Sequence, residues 1–115
     1  MKSEEIKMIR KDVKRFNKKM NEAMPKVMEK IRELRDTALE EGVLSLKVKE
    51  LIALGMAIAK QSPYCIVTHV INALHAGATK EEIWDVCRVA ILMGGGPSVA
   101  YSRFAMKAVD EMGNI

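Results

Sequence analysis

The sequence predicts an all-α protein of about six helices, and three observations carry that prediction. Apolar residues recur at three- and four-residue steps, and no stretch reads convincingly as a strand. Aromatics make up only 4% of the chain while methionines number nine, so Leu, Ile, Val, Ala and Met must fill the core. Such a core suits closely packed helices better than a sandwich of strands. Residues that start and stop helices also fall between the periodic segments. The length of 115 residues predicts one domain spanning 1–115, with charged helices over 1–44 and a less charged part over 45–112.

In the first helix Ile6, Ile9, Val13, Phe16 and Met20 form an apolar stripe, with Lys and Arg between them. Pro25 can open a second helix, whose stripe is Val27, Ile31, Leu34 and Ala38 and which closes near Gly42. Any linker is short, around residues 42–44. Ser45 is placed to cap a third helix, "LKVKELIALGMAIAK", whose span Leu51–Ala59 is apolar all round and so expects protein on every side. Ser62 followed by Pro63 predicts an N-cap and a proline at the first helical position of a fourth helix, which runs to about Gly77. Thr79 and Glu82 have capping-box spacing and start a fifth, through Trp84, Cys87 and Ile91. "GGGP" ends it, and Pro97 opens a sixth to about Met112. The glycines lack the Lys-Ser/Thr of a phosphate loop and the spacing of a dinucleotide fingerprint, so they predict a turn and no nucleotide site.

Charge is distributed unevenly. Residues 1–44 hold 12 of the 19 Lys+Arg and 9 of the 15 Asp+Glu, whereas 61–79 and 89–102 hold none. The charge-free windows predict burial and not a membrane span, because polar residues interrupt the first and "GGGP" the second. The N-terminal "MKSEEIKMIRK" is too charged for a signal peptide, and two cysteines 22 residues apart make no disulfide framework. A reducing cytoplasm is the expected location. Residues 7–19 contain seven basic residues and one acid, a pattern open to nucleic acid or an acidic partner. Acidic residues return at once downstream, so a solvated helix face is the preferred reading and no nucleic-acid partner is expected. A chain this small has difficulty covering helices that are apolar on most faces, which predicts self-association, with helices 3, 4 and 6 as the contact surfaces.

The fourth helix carries the candidate chemistry. At 100° per residue, Ile66, Val67, Val70, Ile71, Ala73 and Leu74 fill one arc, and Cys65, Thr68, His69, Asn72, His75 and Ala76 the other. A polar arc without Lys or Glu fits a protected cavity or a wet interface. Cys65 and His69 are spaced i and i+4, so they share a face. The thiolate is the nucleophilic form of cysteine, and an imidazole nearby can take the thiol's proton. On spacing alone the pair reads first as core, the usual place of a lone cysteine in an apolar helix. Cys87, among Val86, Val89 and Ala90, is expected in the core, and His75 fits a residue that complements the end of a helix dipole. Cys65, His69 and His75 lack the further ligands a metal site needs.

Residues 44–112 contain, in order, a Lys-Glu-Leu-Ile helix, a Cys-x3-His helix, an Ala-Gly-Ala-Thr-x-Glu-Glu-Ile turn and a Gly-Gly-x-Pro break. This arrangement resembles the carboxymuconolactone decarboxylase family, whose other well-known branch is the alkylhydroperoxidase D-like proteins. The signature of that branch is Glu-x11-Cys-x2-Cys-x3-His. Glu50, Cys65 and His69 match it in register, while Ser62 stands at the first cysteine. The resemblance implies an alkylhydroperoxidase D-like helical fold with its core over 45–112, assembled as a homotrimer or homohexamer. It further implies that Glu50 and His69 form a proton relay to Cys65 in a cofactor-free, thiol-dependent peroxidase. The substrate would be a small peroxide and the reductant a thiol. Without that register, Glu50 reads as a surface residue beside Lys47 and Lys49. Ser62 cannot join a disulfide with Cys65, so an oxidised Cys65 would need Cys87, a partner subunit or a small thiol to resolve it. The alternative activity is decarboxylation of a small lactone acid, with His69 or Glu50 handling protons. The retained Cys65 weighs against it.

Overall fold

The computed structural model describes residues 4–112, so the first three residues of the charged N-terminal segment and the last three of the chain lie outside it. Six helices follow in order: α1 Glu4–Ala23, α2 Pro25–Ala38, α3 Leu46–Ala59, α4 Pro63–His75, α5 Lys80–Gly94 and α6 Gly96–Met112. No strand occurs among the described residues. The all-α expectation and the six elements are borne out.

Helices α3, α4, α6 and α5 form a closed cycle of packed neighbours, and α3 also touches α6 across it. Leu54 and Ile58 of α3, Ile66 and Val70 of α4, Ile83 of α5 and Ala105 and Ala108 of α6 meet at its centre. Each large aliphatic chain sealed there contributes on the order of 1.5–3 kcal/mol through lost apolar contact with water. α1 lies across α4 and α6, adding Ile6 to the core. The Tyr64 hydroxyl donates to Asp12 and the Lys107 ammonium to Glu5, which tie α1 to α4 and α6.

The second helix keeps to the solvated side of the molecule. It packs mainly on α1, where Arg32 donates to Asn21, and none of its residues is buried. Leu34 is 69% exposed, and Val27 and Ile31 stand in solvent with it. The all-round apolar α3 is likewise only half covered, since Ile52 and Met56 are exposed beside Val89 and Met93 of α5. No helix among the described residues is long and apolar enough to cross a membrane.

Two of the three predicted caps form as read. The Ser45 hydroxyl accepts from the Val48 amide. Thr79 and Glu82 make a reciprocal capping box, and those bonds with Lys47 beside them hold the Glu82 carboxyl below its usual range. Ser62 sits at the N-cap of α4, but its side chain makes no capping bond. The backbone there closes the preceding helix and leaves the α4 amides uncapped: Gln61 takes φ 59°, the Ser62 amide donates to the Ala57 carbonyl and the Gln61 amide to that of Ile58. This is a Schellman closure of α3 with glutamine in the left-handed position glycine usually occupies.

Gly95, between α5 and α6, has φ 71° and ψ −153°, a region open essentially to glycine alone. Gly95→Ala should therefore cost on the order of 1–3 kcal/mol and lower the thermal midpoint, measurable by circular dichroism. A midpoint equal to wild type would show that the break between the two helices tolerates another backbone path.

Candidate active site

α3 presents Glu50, Leu54, Ala57 and Ile58 to the interior, a spacing of i, i+4, i+7 and i+8. Glu50 therefore lies on the core-facing stripe and is only 2% exposed. The two lysines beside it point elsewhere. Lys47 pairs with Glu82 at 3.0 Å, and Lys49 donates to the carbonyls of Ala38 and Glu40, closing the end of α2. The reading of Glu50 as a surface residue among lysines is corrected by this geometry.

A carboxylate this buried requires a partner, because leaving a charge unpaired inside a protein is costly. Its partner is His69 of α4, whose Nδ1 stands 3.0 Å from Glu50 Oε1. A carboxylate can only accept, so this contact assigns the proton to Nδ1 and leaves Nε2 free as a base. The imidazole is 22% exposed and thus stays accessible from outside while its other edge is held. Glu50 also borders a cleft of about 460 Å³ between the end of α2, α3 and α4, which Asn72 and His75 share.

Cys65 lies in the first turn of α4, one turn before His69, and is exposed. It makes no hydrogen bond among the described residues, so the structure joins Glu50 to His69 and leaves the thiol beside them without a direct bond. Proline at the first helical position withholds one amide, and Ser62 does not cap the others. The Tyr64 and Cys65 amides at this end thus keep their positive ends free to favour an anion. The predicted polar arc is real. Cys65 and His75 are exposed, and Thr68, His69 and Asn72 are half-buried, while Ile66, Val67, Val70 and Ala73 are sealed.

Cys87 is buried, as expected for a core residue. Burial pushes its thiol up from the ordinary range, softened by the nearby Ser102 hydroxyl and the charge of Arg88. A neutral, enclosed thiol is a poor partner for Cys65 in a disulfide. Sequence reasoning did not single out Ser98 and Ser102, two hydroxyls on the buried face of α6, of which Ser98 makes no hydrogen bond among the described residues and Ser102 has the Cys87 thiol beside it. Their spacing with Ala105 was the available signal of a small-residue face. No group of three or more His, Cys, Asp or Glu that could hold a metal occurs among the described residues.

Known proteins share this fold. A carboxymuconolactone decarboxylase family protein from Legionella pneumophila superposes with a TM-score of 0.90 at 38% identity, over 95% of this chain and 97% of that one. A Thermotoga maritima protein of the same family, whose description suggests involvement in an antioxidative response, superposes at 0.79 over 91% of this chain and 89% of that one. At 23% identity this second likeness extends to the fold alone. An uncharacterized protein of Cupriavidus necator is 33% identical over 93 residues, 81% of this chain and 82% of its own length. The model of the carboxymuconolactone decarboxylase family matches residues 25–108, which takes in α2 to α5 and most of α6, with Glu50, Cys65 and His69. The chain belongs to the carboxymuconolactone decarboxylase family.

Proposed function

We propose that this protein is a thiol-dependent peroxidase of the alkylhydroperoxidase-like type, with Cys65 as the nucleophile. The observation that carries this reading is the 3.0 Å contact between buried Glu50 and His69 one turn from an exposed cysteine. His69 Nε2 takes the Cys65 proton, directly after a side-chain rotation or across one water. Glu50 holds the imidazole in its tautomer and stabilises the imidazolium that forms.

The thiolate then attacks the distal oxygen of a hydroperoxide. An S–O bond forms, the O–O bond breaks, the sulfur loses two electrons and the departing alkoxide takes its proton from His69. The products are a Cys65 sulfenic acid and an alcohol. A small thiol condenses with the sulfenic acid, releasing water and forming a mixed disulfide. A second thiol reduces that disulfide and restores Cys65. An external thiol replaces an internal resolving cysteine because Ser62 has no thiol and Cys87 is enclosed in the core. Decarboxylation of a lactone acid is the second reading, and the exposed thiol beside the relay disfavours it.

The reading further includes self-association, since the α2 stripe and the groove between α3 and α5 leave more apolar surface in solvent than a small monomer usually keeps. The test of function is hydroperoxide consumption with a small thiol as reductant, in wild type and Cys65→Ser. Turnover in wild type and none in the variant is expected. Equal consumption by both, or consumption by neither, would remove Cys65 from the chemistry.

A further inference from the structure

A second groove runs between α1 and α4, with a volume of about 500 Å³, well within the size range of small-molecule sites. Its α1 wall carries Lys7, Arg10, Lys11 and Lys14, spaced i, i+3, i+4 and i+7 on one face, and no acidic residue lines it. Lys7 is already paired with Glu4, and Arg10 lies 3.9 Å from Glu111. Lys11 and Lys14 make no ion pair among the described residues. The base of the groove is apolar, formed by Val13 of α1 and Val67 and Ile71 of α4.

The α4 wall adds Thr68 and Asn72, whose side chains make no hydrogen bond among the described residues. Both belong to the uncharged arc that carries Cys65 and His69. Thr68 follows Cys65 by three residues, about 4.5 Å along the helix axis. The groove therefore begins one turn from the thiol. A cationic rim over an apolar base matches a ligand with a negative head and a hydrocarbon body. A bare inorganic anion would leave the base uncovered, and a neutral chain would leave Lys11 and Lys14 without a counter-charge.

Resting on the peroxidase reading, we infer that the α1–α4 groove binds an amphipathic carboxylate. Its chain lies on Val13, Val67 and Ile71 and its anion meets Lys11 and Lys14, so the oxidant brought to Cys65 is a carboxylate-bearing organic hydroperoxide. Substrate selection then falls to the basic face of α1, which the solvated-face reading left without a task. The redox step is the one given above, with R in ROOH carrying the carboxylate.

Calorimetric titration with dodecanoate, kept below its micelle concentration, tests the binding. Acetate, dodecyltrimethylammonium and phosphatidylglycerol vesicles serve as the comparison ligands. Dodecanoate should bind the wild type, acetate and the cationic surfactant should not, and Lys11→Met with Lys14→Met should weaken dodecanoate about tenfold. Methionine keeps the length of each chain, and both sites are exposed, so the fold should survive. Equal affinity in the double variant, equal binding of the cationic surfactant, or binding to vesicles alone would overturn the inference. A changed subunit count in the variant would do so as well, by showing that a second copy covers the groove.

The same titration on Cys65→Ser should give wild-type affinity, because that protein has lost only the thiol. In turnover, a fatty-acid hydroperoxide should be preferred over neutral cumene hydroperoxide, and the double variant should lose the preference. If neither hydroperoxide is consumed, the peroxidase reading falls while dodecanoate binding still decides whether the groove is a site. If both are consumed equally well by wild type, the peroxidase stands and the groove does not select its substrate.

Discussion

Glu50→Gln should slow both peroxide consumption and alkylation of Cys65 at neutral pH by about 10²–10⁴-fold, the usual weight of a positioned acid–base group. Glutamine has nearly the shape of glutamate, so it fills the same buried place on α3 and the fold should hold. Its chemistry differs in two ways. An amide can offer its NH₂ to His69 Nδ1, which moves the ring proton to Nε2 and removes the base from the side that serves Cys65. If the amide turns its oxygen to Nδ1 instead, the tautomer survives but no negative charge remains to stabilise the imidazolium.

His69→Ala should give a loss of similar size, and combining it with Glu50→Gln should add little, since the two residues act as one unit. The measurement is the rate of iodoacetamide alkylation, with Cys65 and Cys87 resolved by mass spectrometry. Cys87 serves as an internal control: burial holds its thiol protonated, so it should react slowly in every variant. Rates at Cys65 unchanged by either substitution would make the Glu50–His69 contact a structural pair and bring the decarboxylase reading forward. Losses that add fully in the double variant would show two independent contributions and no relay.

The site was largely legible because its parts are governed by short-range rules. Cys65 and His69 share a face by helical spacing alone, and the caps at Ser45 and Thr79 announce themselves through side-chain chemistry. Glu50 was ambiguous because Lys47 and Lys49 flank it. Its register with Cys65 and His69 turned it towards His69, and its burial with Leu54, Ala57 and Ile58 and the partners of the lysines separate the two readings. The entry to α4 was placed correctly at Ser62 and Pro63, and only the capping bond of the Ser62 side chain is absent. Ser62 has the residue type of a cap, but the turn is closed by backbone bonds around Gln61, and glutamine carries no signature of a left-handed residue. Whether the Cys65 thiol touches its base depends on a side-chain rotation, which no spacing encodes. The stripe on α2 shows the limit most clearly. Periodicity identifies the apolar face of a helix and says nothing of what covers it.

That uncovered face gives the remaining large effect: Ile31→Glu with Leu34→Glu should convert an assembled protein into monomers. Val27, Ile31 and Leu34 line one side of α2 in open solvent, flanked by Lys26 and Lys30. The apolar groove between α3 and α5, about 640 Å³, is bordered by Glu82 and Asp85 and by Ile52, Met56, Val89 and Met93. A ridge with basic flanks and a groove with acidic edges on the same chain would form the two halves of a head-to-tail contact between copies. Contacts of that kind close into rings where the rotation between copies permits. Lys30 and Asp85 now engage exposed local partners, Glu33 and Arg88, and exchanging such pairs costs little, while Glu82 stays with Lys47 and the α5 cap. Affinity would come from the apolar chains, at about 1.5–3 kcal/mol for each one sealed. Losing two of them should raise the dissociation constant by at least about a hundredfold. Because neither side chain is buried within its own protomer, the helical content of the variant should match wild type. Light scattering across a range of concentrations reads the outcome. A wild type that is already monomeric, or a variant that keeps its subunit count, would leave α2 without this role and require another cover for its stripe.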